Sequence, residues 1–278
     1  MNELRGITYV VLGSQRPDVG QAMRPFTRLV KISDDEARHL LTCHGPRLFR
    51  AFTRRSQAQG MANQLRAIGL AATALPAEDI LQYAILPSKQ VNVGQGGISA
   101  FGREGEAPTF IPFSDVAIIV QGEVLEVVGK EKVMSPRPGE PKIRCSYAPQ
   151  MIVDVHRKSV PVGVRFRKVD FHLNPIVAGE PLEGPTDLAR FVSLLRERSP
   201  LALFDDRFDR SGDSVDWSQR MVEAGHAVAI QPGGVGEEDG PPTAPPLPPS
   251  PDPDPGRLRQ EHAFNLYSIL WRYQAIIE

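Results

Sequence analysis

Four side chains able to move a proton or pair a charge sit in two short stretches of this chain. Asp154 and His156 lie in Met151–His156, and Arg165 and Arg167 lie in Val162–Arg167. Polar and apolar residues alternate in both, and successive side chains of a strand leave opposite faces. Met151, Val153 and Val155 therefore share one face with Asp154 and His156 opposite, and Val162, Val164 and Phe166 oppose the two arginines. Cross-strand charge pairing accounts for this polar face; the alternative is a ligand site that includes His156 and Arg165. A second cationic group, Arg50, Arg54 and Arg55, falls at a strand-to-helix junction, and Arg47 and Arg66 add to the basic character of this region. Guanidinium groups pair well with carboxylates and phosphates, so these three are candidate ligand-binding residues, with solvated surface as the plainer explanation.

No other set of residues has the spacing of a site. The histidines His39, His44, His156, His172, His226 and His262 form no HExxH or HxH pair, so no metal site is expected. Asp205, Asp206, Asp209, Asp213 and Asp216 lack the alternating-ligand spacing of a calcium loop and read as a solvated turn. Val93-Gly94-Gln95-Gly96-Gly97 leads into a β pattern with no Gly-Lys-Ser/Thr behind it, which predicts a turn and not a phosphate cradle. No Gly-x-Ser-x-Gly elbow is present, and neither Cys43 nor Cys145 has a local partner that would mark a nucleophile. The expectation is no catalytic set and no cofactor.

The elements that would position these residues come in three groups. Up to about residue 85, strand-like segments (Ile7–Leu12, Thr27–Ile32, Arg47–Thr53, Leu70–Leu75) alternate with helical ones. Ser33-Asp34-Asp35-Glu36 and Ser56 with Gln59 have the form of capping boxes. Ala58, Met61, Ala62, Leu65 and Ile68 form one apolar stripe, and Gly69 is placed to end that helix. This pattern predicts a small ferredoxin-like α/β sandwich. After a linker over 76–89, short strands are predicted at Ile98–Phe101, Thr109–Phe113, Val116–Val120, Val124–Val128, Met151–His156 and Val162–Arg167. From Pro232 glycines and then prolines crowd the sequence, which suits an extended solvated linker over 232–256. Residues 257–278 predict an amphipathic helix with an apolar face of Ala263, Leu266, Tyr267, Leu270 and Ile277, flanked by Phe264 and Trp271, and Phe264, Tyr267, Leu270 and Trp271 are its candidate partner-binding residues. That face needs a cover, supplied either by the rest of this chain or by another protein.

The stretch Thr109-Phe110-Ile111-Pro112-Phe113-Ser114-Asp115-Val116, a strand followed by a Pro-aromatic-Ser-Asp corner, resembles the corner of bacterial pleckstrin-homology-like barrels. A helix over 186–198 with Leu188, Phe191, Val192 and Leu195 on one face would be the plug of such a barrel. The polar insert Lys130–Tyr147 departs from that pattern. The order of the pieces resembles a group of bacterial proteins with no assigned activity. The resemblance implies an α+β chain: a ferredoxin-like module over 1–85, a β-rich pleckstrin-homology-like domain over 90–231, the linker, and the tail helix. It also implies a binding scaffold.

At 278 residues there is length for two compact cores. A formal net charge of −1 supplies no whole-protein field to draw in nucleic acid or an anionic membrane. No apolar run approaches the ~20 residues that cross a bilayer, and the first residues lack a secretory pattern, so a cytoplasmic protein is expected. Three functional readings follow. The first is a non-enzymatic binding or regulatory protein working through protein–protein contacts, in which the tail helix docks on its own domains or on another protein. The second is a small-molecule sensor or enzyme in which Arg50, Arg54, His156 and Arg165 converge between two domains. The third, weakest, is nucleic-acid binding through the basic first region.

Overall fold

The computed structural model describes residues 6–14, 18–42, 45–102, 105–133, 142–174, 187–208 and 255–277. The proline segment 232–254, Asp209, Asp213, Asp216 and Cys43 lie outside these residues. Twelve strands and six α-helices are arranged in three sheets among the described residues.

The first sheet has β1 (Thr8–Leu12) at its centre, flanked by antiparallel β2 (Arg47–Phe52) and β3 (Ala72–Pro76). Helices α1 (Val19–Val30), α2 (Asp34–Thr42) and α3 (Arg55–Ala67) cover one face, burying Val10, Leu12, Phe26, Leu40, Ala58 and Leu65. The Ser33 hydroxyl accepts the Glu36 amide at 3.2 Å, which caps α2. Gly69 closes the α3 region with φ +83°, a conformation open to glycine. Three strands, with helices on one face and further structure on the other, do not make the four-stranded ferredoxin-like sandwich expected from the sequence. Thr27–Ile32 is not a strand. It continues into the end of α1, because helical spacing buries Ala22, Phe26 and Val30 together. Nor does Ser56 cap α3, whose N-cap is Arg54 with no side-chain bond.

The second sheet has the order β12-β8-β9-β10-β4, and the third the order β11-β5-β6-β7. Here β4 is Ala84–Ser88, β5 Gln90–Val93, β6 Gly97–Phe101, β7 Thr109–Pro112, β8 Val116–Val133, β9 Lys142–Arg157, β10 Val162–Arg167, β11 His172–Asn174 and β12 Leu203–Asp205. Ile119, Val153, Val155, Val164 and Phe166 of the second sheet meet Val91, Ile98 and Ile111 of the third, with Leu188, Phe191 and Leu195 of α5 (Asp187–Arg198) in the same core. Neither sheet closes among the described residues. The second ends in β12 and β4 and the third in β11 and β7, so the pleckstrin-homology-like barrel is overturned. Alternation along a strand says which face is buried; closure needs the end strands to pair, and alternation carries no information about that. The segment 76–89 is not a linker either, since it forms α4 (Ala77–Leu81) and β4. As an edge strand β4 tolerates its Pro87. The two expected strands Val116–Val120 and Val124–Val128 are one, β8. It runs on through Gly122, where an added Cβ would lie 2.6 Å from the Phe264 ring.

Helix α6 (Pro255–Ile277) lies between the uncovered faces of the first and second sheets. Phe264, Tyr267 and Trp271 join Ile118, Val120 and Ile152 of the second sheet. Ile269 and Leu270 join Tyr9, Val11 and Leu75 of the first. Buried from Ala263 to Trp271 on nearly every side, this helix packs against the same chain. No helix among the described residues is long and apolar enough to cross a membrane.

Candidate functional site

The polar face of β9 and β10 is the floor on which α6 rests. The pairing brings Arg165 opposite Asp154 and Gly163 opposite His156. Arg165 forks onto the carboxylate, with Nε to Oδ1 and Nη2 to Oδ2 each at 2.7 Å. Asp154 and His156 have no exposure at all, and Arg165 has 6 %. From α6, Ser268 Oγ donates to Asp154 Oδ2 at 2.7 Å, Asn265 accepts from Arg165, and Glu261 pairs with Arg167. The Arg165 guanidinium also lies 5.2 Å from the Phe264 ring centre.

These contacts fix the proton positions. Ser268 gives its one hydrogen to Asp154, so at 2.6 Å it must accept from His156 Nε2. Nδ1 is then unprotonated and accepts the Tyr83 hydroxyl at 2.6 Å. The donor chain runs in one direction, Tyr83 to His156 to Ser268 to Asp154, and ends on a carboxylate neutralised by Arg165. Gly163 makes room for it: a Cβ there would sit 2.8 Å from His156 Nδ1 and 3.0 Å from the Tyr83 oxygen. Burial, reinforced by the Arg165 and Arg272 cations against the upward pull of Asp154, brings His156 down to about 4, so it is neutral. Burial pushes Asp154 up, but the Arg165 charge and the hydrogen bonds from Arg165 and the Ser268 hydroxyl outweigh it, and the carboxyl stays below its ordinary range. Burial pushes the Tyr83 phenol far up.

Serine, histidine and aspartate in contact invite comparison with a nucleophilic triad. In a triad the imidazole accepts the serine proton and the carboxylate holds the other ring nitrogen. Here the serine donates to the carboxylate and receives from the imidazole, and the remaining nitrogen is taken by a tyrosine. Ser268 is therefore not activated, and the polar atoms of Tyr83, His156, Ser268 and Asp154 are spent on one another and on Arg165. The arrangement holds a helix.

Other polar contacts complete the seating of α6. Tyr267 donates to Asp205, which also takes Arg207 Nε at 2.8 Å. Gln274 accepts the Ser14 amide at 3.0 Å and donates to its hydroxyl at 2.8 Å, and Tyr273 donates to the Asp79 carbonyl at 2.6 Å. The sequence reading overlooked Ser268 and Asn265. Their signal was present: Glu261, Asn265, Ser268 and Arg272 recur at i, i+4, i+7 and i+11, a polar stripe beside the apolar one.

At the C-terminal end of α6 the packing is incomplete. A cleft of about 150 Å³ lies between the first sheet and the helix, lined chiefly by Val11, Ala71, Thr73, Leu75, Leu270 and Tyr273, with Arg66 and Gln274 also bordering it. Its walls are mostly apolar, and Arg66 is exposed.

The structure divides the sequence-derived candidates. His156 and Arg165 meet in the sealed network. Arg50, Arg54 and Arg55 are exposed at β2 and the start of α3; Arg50 donates to the Val30 carbonyl at 3.2 Å and stacks 5.5 Å from Phe49. The two sets are not brought together. Phe264, Tyr267, Leu270 and Trp271 are all buried against this chain's own sheets. Among the described residues no cluster of three or more histidine, cysteine or acidic side chains could hold a metal ion. No protein-family model, curated protein or solved structure matches the chain.

Proposed function

We propose that this chain is a non-enzymatic binding protein that works through protein–protein contacts, with the cleft at the end of α6 as its binding place. The observation carrying this reading is the contrast in what is accessible. Tyr83, His156, Ser268 and Asp154 are enclosed and mutually satisfied, while the cleft beside Leu270 and Tyr273 is open and mostly apolar. Apolar concavities with a few polar groups at their border are where binding partners are taken up. The buried Phe264 and Trp271 argue that α6 contributes a wall of that site and not a free docking helix.

A photo-crosslinking side chain in place of the exposed Arg66 tests this in extract from the source organism. The expected result is a discrete adduct with one protein, lost when the cleft is filled by Thr73→Trp. No adduct, or one indifferent to the filled cleft, would sink the reading. The second reading, a small-molecule sensor, draws on the same space, because an apolar cavity of about 150 Å³ accommodates a ring the size of benzene. It gains nothing from Arg50, Arg54 and Arg55, which lie elsewhere.

A further inference from the structure

The cleft has a neighbour that narrows what it can hold. In the first sheet β3 is an end strand, and its outer edge pairs with no strand among the described residues. Close hydrogen-bonded pairs alternate with open ones along an antiparallel ladder. Gly13 N donates to Ala71 O at 2.7 Å and Ala77 N donates to Ile7 O at 2.9 Å, which fixes the phase. Val11 with Thr73 and Tyr9 with Leu75 are then the hydrogen-bonded pairs. Ala72 and Ala74 therefore point their amides and carbonyls outward, giving an edge of two donors and two acceptors. Beyond them Pro76 has no amide to offer. The side chains of Thr73 and Leu75, on the α6 face, line the cleft.

We infer that this edge and cleft together take an extended segment of another protein as an added antiparallel strand, one whose residue opposite Thr73 is bulky and apolar, with an acidic residue three positions later. This rests on the binding reading above and specifies its partner. A strand bonded to Ala72 and Ala74 carries the residue between those bonds on the same face as Thr73, which aims it into the cleft. The available volume suits a leucine or phenylalanine side chain. Arg66, at the border, favours a carboxylate there. A second copy of this chain fits less well: the twofold pairing that uses both Ala72 and Ala74 sets Thr73 opposite Thr73 and leaves the apolar space unfilled.

The test uses the full chain and fluorescein-labelled Thr-Val-Thr-Xaa-Thr-Val-Asp peptides with Phe, Leu, Met or Ser at the centre, followed by fluorescence anisotropy. Binding of at least one apolar-centred peptide is expected, with at least a tenfold loss for Ser. N-methylation of the two residues bonded to Ala72 and Ala74 should cost at least as much. Ala74→Pro removes an outward amide at an edge where proline is tolerated, and it should abolish binding while the melting temperature stays near wild type. Affinity unchanged by N-methylation would overturn the added strand, whatever the fate of the proline variant. So would a failure of every peptide to bind. If the peptides fail and the Arg66-position adduct still forms, contact with a protein survives and only this mode of contact falls.

Discussion

The two sides of α6 have been solved in opposite ways. Around Asn265 and Ser268 the helix meets a charged strand face, where Tyr83, His156, Ser268, Asp154 and Arg165 are joined by hydrogen bonds of 2.6 to 2.7 Å out of reach of water. Around Leu270 and Tyr273 it meets an apolar sheet face and leaves a cleft of about 150 Å³. Polar groups buried without partners are costly, so the first interface had to be completed. An apolar gap forgoes only packing energy and can be left open. The chemically reactive residues hold the fold, and the inert ones leave the opening. Residue type alone would have suggested the reverse.

The largest blow to this contrast would come from Asp154→Ala, which leaves the Arg165 guanidinium buried without its counter-charge. A loss of about 3–5 kcal/mol is expected from urea unfolding; a loss below about 1 kcal/mol would mean that the polar side is not what seats the helix. A smaller effect should come from acid. His156, near 6.5 when unfolded, is held at about 4 in the native chain. Between those values the unfolded chain binds a proton that the folded chain does not. Stability therefore falls as pH drops from 6.5 toward 4, by roughly 3 kcal/mol across the window. Urea midpoints of wild type and His156→Gln across this range isolate the effect, and parallel pH curves would contradict it. Smallest of all is Thr73→Val in the cleft wall, expected to stay within about 0.5 kcal/mol of wild type. A large change there would show that the opening is structural.

Much of the local structure was legible. Val162–Arg167 is β10 to the residue, and Ala58, Ala62 and Leu65 bury the expected stripe of α3. Each of these is a matter of spacing within one element, which sequence records directly. The polar face of β9 and β10 was also legible as a face, since Asp154, His156 and Arg165 do share it. Its cover was not, because the covering residues arrive about a hundred positions later, as with Arg165 and Asn265. The barrel and the ferredoxin-like sandwich failed for the same reason, since strand order and closure depend on which distant edges meet. The cleft could not be read at all, being a shortfall of packing between β3 and a helix far along the chain.

The bond from Ser14 to Gln274 joins residues 260 positions apart. Contacts of such long range slow the search for the native arrangement. Until α6 arrives, the Asp154–Arg165 pair and the apolar back of the first sheet both face solvent. Seating this helix is thus a natural late event in folding, one that must expel water from an ion pair and a greasy surface together. A chain halted just before it would be compact, nearly complete in its sheets, and prone to stick to its neighbours.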